Sequence, residues 1–266
     1  ADPSLDLKNP LKGPFDILRE KPLKLETEVL WLLKSAQLLP AAIISRINNG
    51  ESFASENNLM YLRTEQLMNL KMSSASISNA ITAAVPTARA ESTQFHIIRP
   101  ALSGEEHYAM EIGKINRDHP ILVRIHSACF TGDVLGSLKC DCGPQLHAAT
   151  KMINDQGGGL LIYLNQEGRG IGLANKIRAY SLQDQGFDTV EANHRLGFED
   201  DERDFQLGAT ILKEMRISNI KLITNNPSKI NTMNKFDINV TERIPLKVGQ
   251  NKNNLKCIET KAKKSG

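Results

Sequence analysis

Apolar positions recur with a helical period from Glu26 to Ile47, where Leu30, Trp31, Leu33, Ala36, Leu38 and Leu39 are followed by Ala41, Ile43, Ile44 and Ile47. Pro40 interrupts the run because it cannot donate its backbone hydrogen bond, so the pattern predicts two short packed helices. Arg63 to Leu70 reads as another short helix, and the Ser-, Ala- and Asn-rich stretch Met72 to Ala80 as a boundary or exposed turn. Ahead of them, Pro3, Pro10, Pro14 and Pro22 with scattered charges and no clear period predict an extended lead-in. Nothing in residues 1–76 has catalytic character, so they are expected to form a helical accessory segment that packs on the main domain or on a partner subunit.

From Gln94 the pattern changes to short strand-like runs. Phe95 to Ile98, His107 to Ile112 and Ile121 to Ile125, separated by the turn-rich Ser103-Gly104 and Asn116 to Pro120, predict an antiparallel meander. A strand–loop–helix unit follows, with a strand at Gly159 to Leu164, a glycine-rich loop, and a helix from Leu173 to Gln185 closed by Gly186. The unit repeats with a strand at Ile220 to Thr224, a turn in which Asn226 caps and Pro227 takes the first helical position, and a helix from Ser228 to Lys235. This alternation predicts the α/β class: a layered α/β/α core with a mixed sheet, preceded by the meander and the small helical N-terminal segment. The main domain is expected over residues 77–266, with ligand sites in the loops at the carboxyl ends of its strands.

Composition narrows the class. A chain of 266 residues with 40% hydrophobic and 24% charged residues buries an ample core without covalent staples. Its net charge of +3 is too mild to make nucleic acid the main partner, and suits a modest anionic ligand. No apolar run approaches the ~18 residues of a membrane span and no basic-then-apolar leader is present, so no membrane partner and a cytoplasmic location are expected. The chain opens on Ala1-Asp2-Pro3 without Met, which is read as the start of a fragment. Four cysteines, two of them one residue apart, fit metal binding or catalysis better than a disulfide framework.

The candidate chemistry lies between Cys129 and Arg203. Ten residues separate Cys129 from Cys140 and one separates Cys140 from Cys142. Cys140 and Cys142 on a regular strand would lie ~6.5 Å apart, too far to share one tetrahedral ion, so the pair should sit in a turn with Gly143 relieving the backbone. Three thiolates suit zinc. His126 or Cys257 could close the site as a structural one, and water in the fourth place would make it catalytic; spacing leaves these alternatives open. Gly168, Gly170 and Gly172 match neither common phosphate-binding glycine pattern, and a tight strand-to-helix turn explains them equally well. Gln166, Glu167 and Arg169 beside a helix N-terminus raise the functional reading. Tyr180 shares a helical stripe with Leu173 and Ile177, which makes it a core residue first and a catalytic candidate second. His147 and His194 read as ordinary histidines, and the acidic run Glu199 to Glu202 as a solvated face before a helix starting near Asp204.

These residues carry a resemblance. Arg124 to Ser127, the spaced cysteines, Asn165 to Leu173, Asn175 to Gly186, Asp188-Thr189, Leu196 to Phe198, Asp201 to Asp204 and Leu222 to Pro227 are similar, in unbroken order, to GTP cyclohydrolase II. The resemblance runs from about Ile77 to about Gly266. It implies opening of the guanine imidazole ring with loss of formate and release of pyrophosphate, leaving a diaminopyrimidine that carries a phosphoribosylamino group, the first step of riboflavin biosynthesis. It further implies one zinc per chain on Cys129, Cys140 and Cys142 with water in the fourth position, magnesium on the triphosphate, and a homodimer. Carried residue by residue, Asp201 matches the proton acceptor, Arg203 the residue assigned as nucleophile, and Tyr180 a tyrosine implicated in the chemistry. Arg124, Ile125, His126, Ser127, Ala128, Gln145, Glu167, Gly168, Arg169, Thr189, Thr224 and Lys229 match GTP-contacting positions.

Physical chemistry qualifies one of these roles: a guanidinium stays protonated and attacks poorly, so Arg203 is better cast in charge stabilisation. Two positions depart from the family pattern, with Ala128 where Glu is usual and Asn165 where Arg is frequent. The alternative to an active enzyme is therefore a catalytically weak guanine-nucleotide-binding zinc module with a regulatory role. Retention of the three cysteines with Asp201, Tyr180 and Arg203 favours the enzyme. The N-terminal residues weakly resemble a shortened form of the dihydroxybutanone phosphate synthase region that precedes this domain in some relatives, without the acidic cluster such an activity needs.

Overall fold

The computed structural model describes residues 20–73, 76–101, 105–255 and 258. Seven strands form one mixed sheet: β1 (Ile77–Ala84), β2 (Thr93–Pro100), β3 (His107–Gly113), β4 (Ile121–Ser127), β5 (Gly158–Leu164), β6 (Asn219–Ile223) and β7 (Asn239–Ile244). Their spatial order is β1-β2-β3-β5-β4-β6-β7. The β1/β2, β2/β3 and β3/β5 pairs are antiparallel, whereas β4/β5, β4/β6 and β6/β7 are parallel. The predicted α/β core with a mixed sheet is therefore the fold observed. The meander is composed differently, since β5 separates β3 from β4 and the third antiparallel member is β1. Residues Ile121 to His126 are buried without interruption, the mark of a central strand covered on both faces, and this is what moves β4 into the parallel half. β1 falls where the sequence suggests a boundary or turn; seven of its eight residues are exposed, so no alternation reveals it.

Helices cover both faces of the sheet. On one side α8 (Gln206–Glu214) and α9 (Pro227–Lys235) pack Ala209, Ile211, Leu212 and Met233 against Val123, Ile125, Leu160 and Leu222. On the other, α5 (Cys142–Asp155) packs Ala149 and Ile153 against Ile112, Leu122 and Leu161. Each fully buried aliphatic side chain contributes about 1.5–3 kcal/mol, so the two clusters fix the layer order and hold the strand ends rigidly. Asn226 caps α9 by accepting from the Ser228 amide, with Pro227 at the first turn as predicted. Two further helices, α6 (Leu173–Gln183) and α7 (Thr189–Arg195), pack on each other through Ala179, Leu182 and Ala192.

The remaining helices are α1 (Lys24–Ser35), α2 (Gly50–Glu56), α3 (Thr64–Ser73) and the short α4 (Phe130–Asp133). The second helix predicted after Pro40 does not form. Residues 41–47 are irregular, with Ile43, Ile44 and Ile47 exposed, and a short helix without an apolar surface to pack on does not sustain itself. The N-terminal segment nevertheless touches the main body. Lys34 Nζ lies 2.5 Å from Glu202 Oε1, and Asn175 Nδ2 donates to the Gln37 carbonyl at 3.0 Å. Most of the predicted lead-in, the Ser103-Gly104 turn and Cys257 lie outside the described residues.

Candidate active site

The loops after β4, β5 and β6, with α6 and the segment following α7, enclose a cleft of about 670 Å³ at the carboxyl ends of the parallel strands. That is where an open α/β sheet places ligands. Arg124, His126, Ser127, Ala128, Gln145, Glu167, Gly168, Arg169, Tyr180, Thr189, Arg203, Thr224 and Lys229 line it together with Cys129, Cys140 and Cys142. Ile125 and Asp201 do not. The Ile125 side chain packs in the core beneath β4, and only its carbonyl serves the site, accepting from Lys229 Nζ at 2.7 Å. Asp201 stands behind Arg203, taking the guanidinium in a fork with Oδ1 2.7 Å from Nε and Oδ2 2.5 Å from Nη2.

The three sulfurs lie within 4.8 Å of one another, with Cys129 and Cys140 3.6 Å apart. Tetrahedral zinc with Zn–S bonds of ~2.3 Å requires sulfurs ~3.8 Å apart, so the cluster fits such an ion in donor type and spacing. Cys140 precedes α5 and Cys142 opens it, which places the pair in the turn the spacing demands. Glycines enable the approach for a reason other than backbone relief. A Cβ on Gly132 would come 2.7 Å from Cys140 Sγ and 3.0 Å from Cys129 Sγ, and one on Gly143 would strike the Gly132 carbonyl. Only bare backbone lets α4 and α5 close around three sulfurs. His126 does not join them: its Nε2 lies 3.2 Å from both Asp133 carboxylate oxygens and its ring stacks on Tyr163 with centroids 5.5 Å apart.

Asp133 is a residue of this cluster that the sequence reading passes over. Its Oδ2 also accepts from the Cys129 amide at 3.0 Å and the Tyr163 hydroxyl at 2.9 Å, so one carboxylate aligns the first thiolate and the neighbouring histidine. The only sequence signal is its place four residues after Cys129. Lys176 is another. The predicted apolar stripe of α6 is not its buried face, since Leu173 and Ile177 are exposed while Asn175, Lys176, Ala179 and Leu182 are buried. Hydrogen bonds explain the inversion: Lys176 Nζ is 3.1 Å from Cys129 Sγ and donates to Thr131 Oγ1 and Glu167 Oε1 at 2.8 Å each. Tyr180, on the same helix, lines the cleft, and burial raises its phenol to about 12, so it stays a neutral donor at physiological pH.

The glycine loop forms a single 3₁₀ turn at Glu167–Gly170. Gly168 and Arg169 both adopt φ of +63°, and for arginine this left-handed backbone costs about 1–2 kcal/mol. The neighbouring acidic segment holds it there, with the Glu202 amide donating to the Arg169 carbonyl at 3.0 Å and Arg169 Nη1 to the Asp200 carbonyl at 3.1 Å. The run read as a solvated face is thus half-buried from Asp200 to Glu202, and it carries Asp201 and leads into Arg203. Glu167 is engaged internally, accepting from the Phe130 amide at 2.6 Å besides its ion pair with Lys176.

Electrostatically the cleft seeks an anion. Burial lowers Arg124 to about 10, with nearby Arg203 adding to the effect. Burial likewise pushes the Lys229 ammonium well down, and Arg124 and Arg203 push it further. Burial works against the charge of Asp201, but the Arg203 fork outweighs it and holds the carboxyl below its ordinary range. Arg124 Nε, His126 Nδ1 and Ser127 Oγ are buried yet find no hydrogen-bond partner among the described residues. Such groups are costly unless a ligand satisfies them.

The fold and these side chains together define an α/β protein whose strand-end cleft brings a cluster of three cysteines, able to hold a metal ion, beside buried basic side chains. Residues 78–245 match the family model of GTP cyclohydrolase II, and the chain belongs to that family of enzymes. It is 57% identical over 162 residues to the GTP cyclohydrolase-2 of Histophilus somni, covering 61% of this chain and 75% of that protein. The GTP cyclohydrolase-2 of Haemophilus influenzae is 57% identical over 163 residues, covering 61% and 76%. That of Neisseria meningitidis serogroup C is 56% identical over 164 residues, covering 62% and 83%. A solved two-domain 3,4-dihydroxy-2-butanone 4-phosphate synthase from A. baumannii superposes on 77% of this chain and 51% of its own at TM-score 0.37 and 16% identity, too low to bear on the argument.

Proposed function

We propose that this protein hydrolyses GTP, opening the guanine imidazole ring with release of formate and pyrophosphate to leave the phosphoribosylamino-substituted diaminopyrimidine, the first step of riboflavin biosynthesis. One observation carries the reading in a chain of this family: the sulfur cluster, the guanidinium groups of Arg124 and Arg203 and the amine of Lys229 face one cleft of about 670 Å³. A base–sugar–triphosphate needs a cleft of this order, with cations for its phosphates at one side.

Cys129, Cys140 and Cys142 would hold one zinc per chain, which supplies Lewis acidity to activate the hydrolytic water. Arg124, Lys229 and Arg203 take the phosphates, and magnesium, when bound with the triphosphate, would supply further charge neutralisation. Arg203 stabilises charge at the phosphorus under attack rather than attacking it, because a guanidinium is a poor nucleophile and a good partner for phosphate oxygens. Asp201 holds Arg203 in the free protein; when the triphosphate draws Arg203 forward, the carboxylate is released to accept a proton. Tyr180 donates from a neutral phenol. Gln145, Thr189, Thr224, Gly168 and Arg169 complete the substrate contacts, and Arg124 Nε, His126 Nδ1 and Ser127 Oγ find their missing partners on the ligand.

Residues 1–76 act as an accessory segment and 77–266 as the catalytic domain, a division supported by the first strand starting at Ile77. A homodimer is supported by β1, an edge strand exposed on both faces with Ile81 outward. No described helix is long and apolar enough to cross a membrane. The test is incubation with GTP, zinc and magnesium while formate and pyrophosphate are measured. One of each per GTP is expected. Tight GTP binding without either product would replace the enzyme by a binding module.

A further inference from the structure

Three thiolates carry more negative charge than a divalent cation neutralises, and each donates electron density to the metal. A centre held in this way is a weaker Lewis acid than one held by histidines. The chain sets a cation against that excess. Lys176 is buried on α6, with Nζ 3.1 Å from Cys129 Sγ, 2.8 Å from Thr131 Oγ1 and 2.8 Å from Glu167 Oε1. An ammonium has three donors, and all three are engaged, so none is left for a substrate. Its place is set by packing as well: a Cβ on Gly168 would come within 3.0 Å of Lys176 Cβ, so the glycine loop lies directly on the stem.

We propose that Lys176 is a positioning residue of this reaction: by donating to the Cys129 thiolate it draws charge away from the metal centre, and through Glu167 it holds the glycine loop in register with that centre. This rests on the metal-dependent reading above. The hydrogen bond leaves the ligand count unchanged while lowering the donor strength of one sulfur. The Glu167 carboxylate keeps the ammonium in place, and its other oxygen takes the Phe130 amide, the residue directly after Cys129. Metal ligand, cation and loop thus form one closed unit.

The test uses Lys176→Met, which keeps the stem and removes the ammonium, and Lys176→Arg, which keeps the charge. Each protein is loaded with cobalt(II), and the energy of its sulfur-to-metal charge-transfer band is recorded. The band is expected to move to lower energy in Lys176→Met and to return most of the way in Lys176→Arg, because an unbonded thiolate gives up charge more readily. In the zinc proteins kcat for formate release should fall about ten- to hundredfold in Lys176→Met, the usual scale for losing an outer partner of a metal ligand, with KM for GTP nearly unchanged. A band at the wild-type energy in Lys176→Met overturns the proposal. Should Lys176→Met fail to fold, Glu167→Gln decides: without the carboxylate that keeps the ammonium in place the band should move part of the way to lower energy, and a band at the wild-type energy overturns the proposal. Failure of the wild-type protein to bind cobalt overturns it as well. A normal wild-type band without formate refutes the GTP reading alone, and the Lys176 variants are still judged by their spectra.

Discussion

Replacing Gly132 by alanine would drive a methyl group into the sulfur cluster. The added carbon would stand 2.7 Å from Cys140 Sγ, 3.0 Å from Cys129 Sγ and 3.1 Å from Cys142 Cβ. Non-bonded carbons rest at about 3.5–4.0 Å, and sulfur is larger, so the closest contact is short by roughly 0.8 Å or more. Relief cannot come from α4 alone, because the amides of Gly132 and Asp133 both donate to the Cys129 carbonyl, at 2.9 and 2.7 Å. Nor can α5 recede without loosening Cys142. The sulfurs must therefore part, whereas a metal site tolerates only about 0.2 Å in its bond lengths. Overpacking of this kind costs about 1–3 kcal/mol, and if the metal-bound form bears it, zinc affinity falls roughly five- to hundredfold. The assay is competition for zinc against a chromophoric chelator, with thermal unfolding of both proteins followed in excess chelator. Apo stability should change far less than affinity, since the sheet core does not depend on the metal. Wild-type zinc affinity in Gly132→Ala would refute the reasoning.

Other outcomes follow from the same geometry. Triphosphate binding should restore the charge of Lys229, so GTP binding takes up protons and weakens as pH rises from the depressed value of its ammonium toward its ordinary one; calorimetry in buffers of different ionisation enthalpy reads the uptake, and proton release would contradict it. Asp201→Asn should retain GTP within a few-fold while turnover falls at least a hundredfold, and a matching loss of affinity would confine Asp201 to holding Arg203. Ala128→Glu, which introduces the carboxylate that the family resemblance leads one to expect there, should raise kcat/KM by roughly tenfold if one hydrogen bond of ~1.4 kcal/mol is gained in the transition state, and a neutral or slower enzyme would show the position is not a missing contact. His107 is held neutral by burial, at about 4, and its Nδ1 accepts from the Asn165 amide at 3.0 Å. The unfolded chain binds the proton more readily, so this stability is present above pH ~6.5 and lost as pH falls toward the folded value, on the order of 3 kcal/mol in all. Denaturant unfolding between those limits should show a shallower acid loss in His107→Gln.

The parts that build the candidate site were legible along the chain because each rests on a local property: cysteines spaced for a turn, a strand–loop–helix unit that sets polar groups at a strand end, and Pro227 after a capping Asn226. Those features depend on a few neighbouring residues, so periodicity and spacing expose them. What tertiary structure decided lies in pairings between distant segments. β5 enters between β3 and β4 because continuous burial suits the centre of the sheet, and β1, exposed on both faces, left no pattern to read. Lys176 lies on the face of α6 that a hydrophobic pattern assigns to solvent, and its burial is tolerable because Glu167, Thr131 and Cys129, the last forty-seven positions earlier, bring acceptors to meet it. Asp133, Lys176 and the Arg203 fork gain meaning only once the fold removes water from them, since an ion pair or hydrogen bond is strong enough to fix geometry where the surroundings no longer compete.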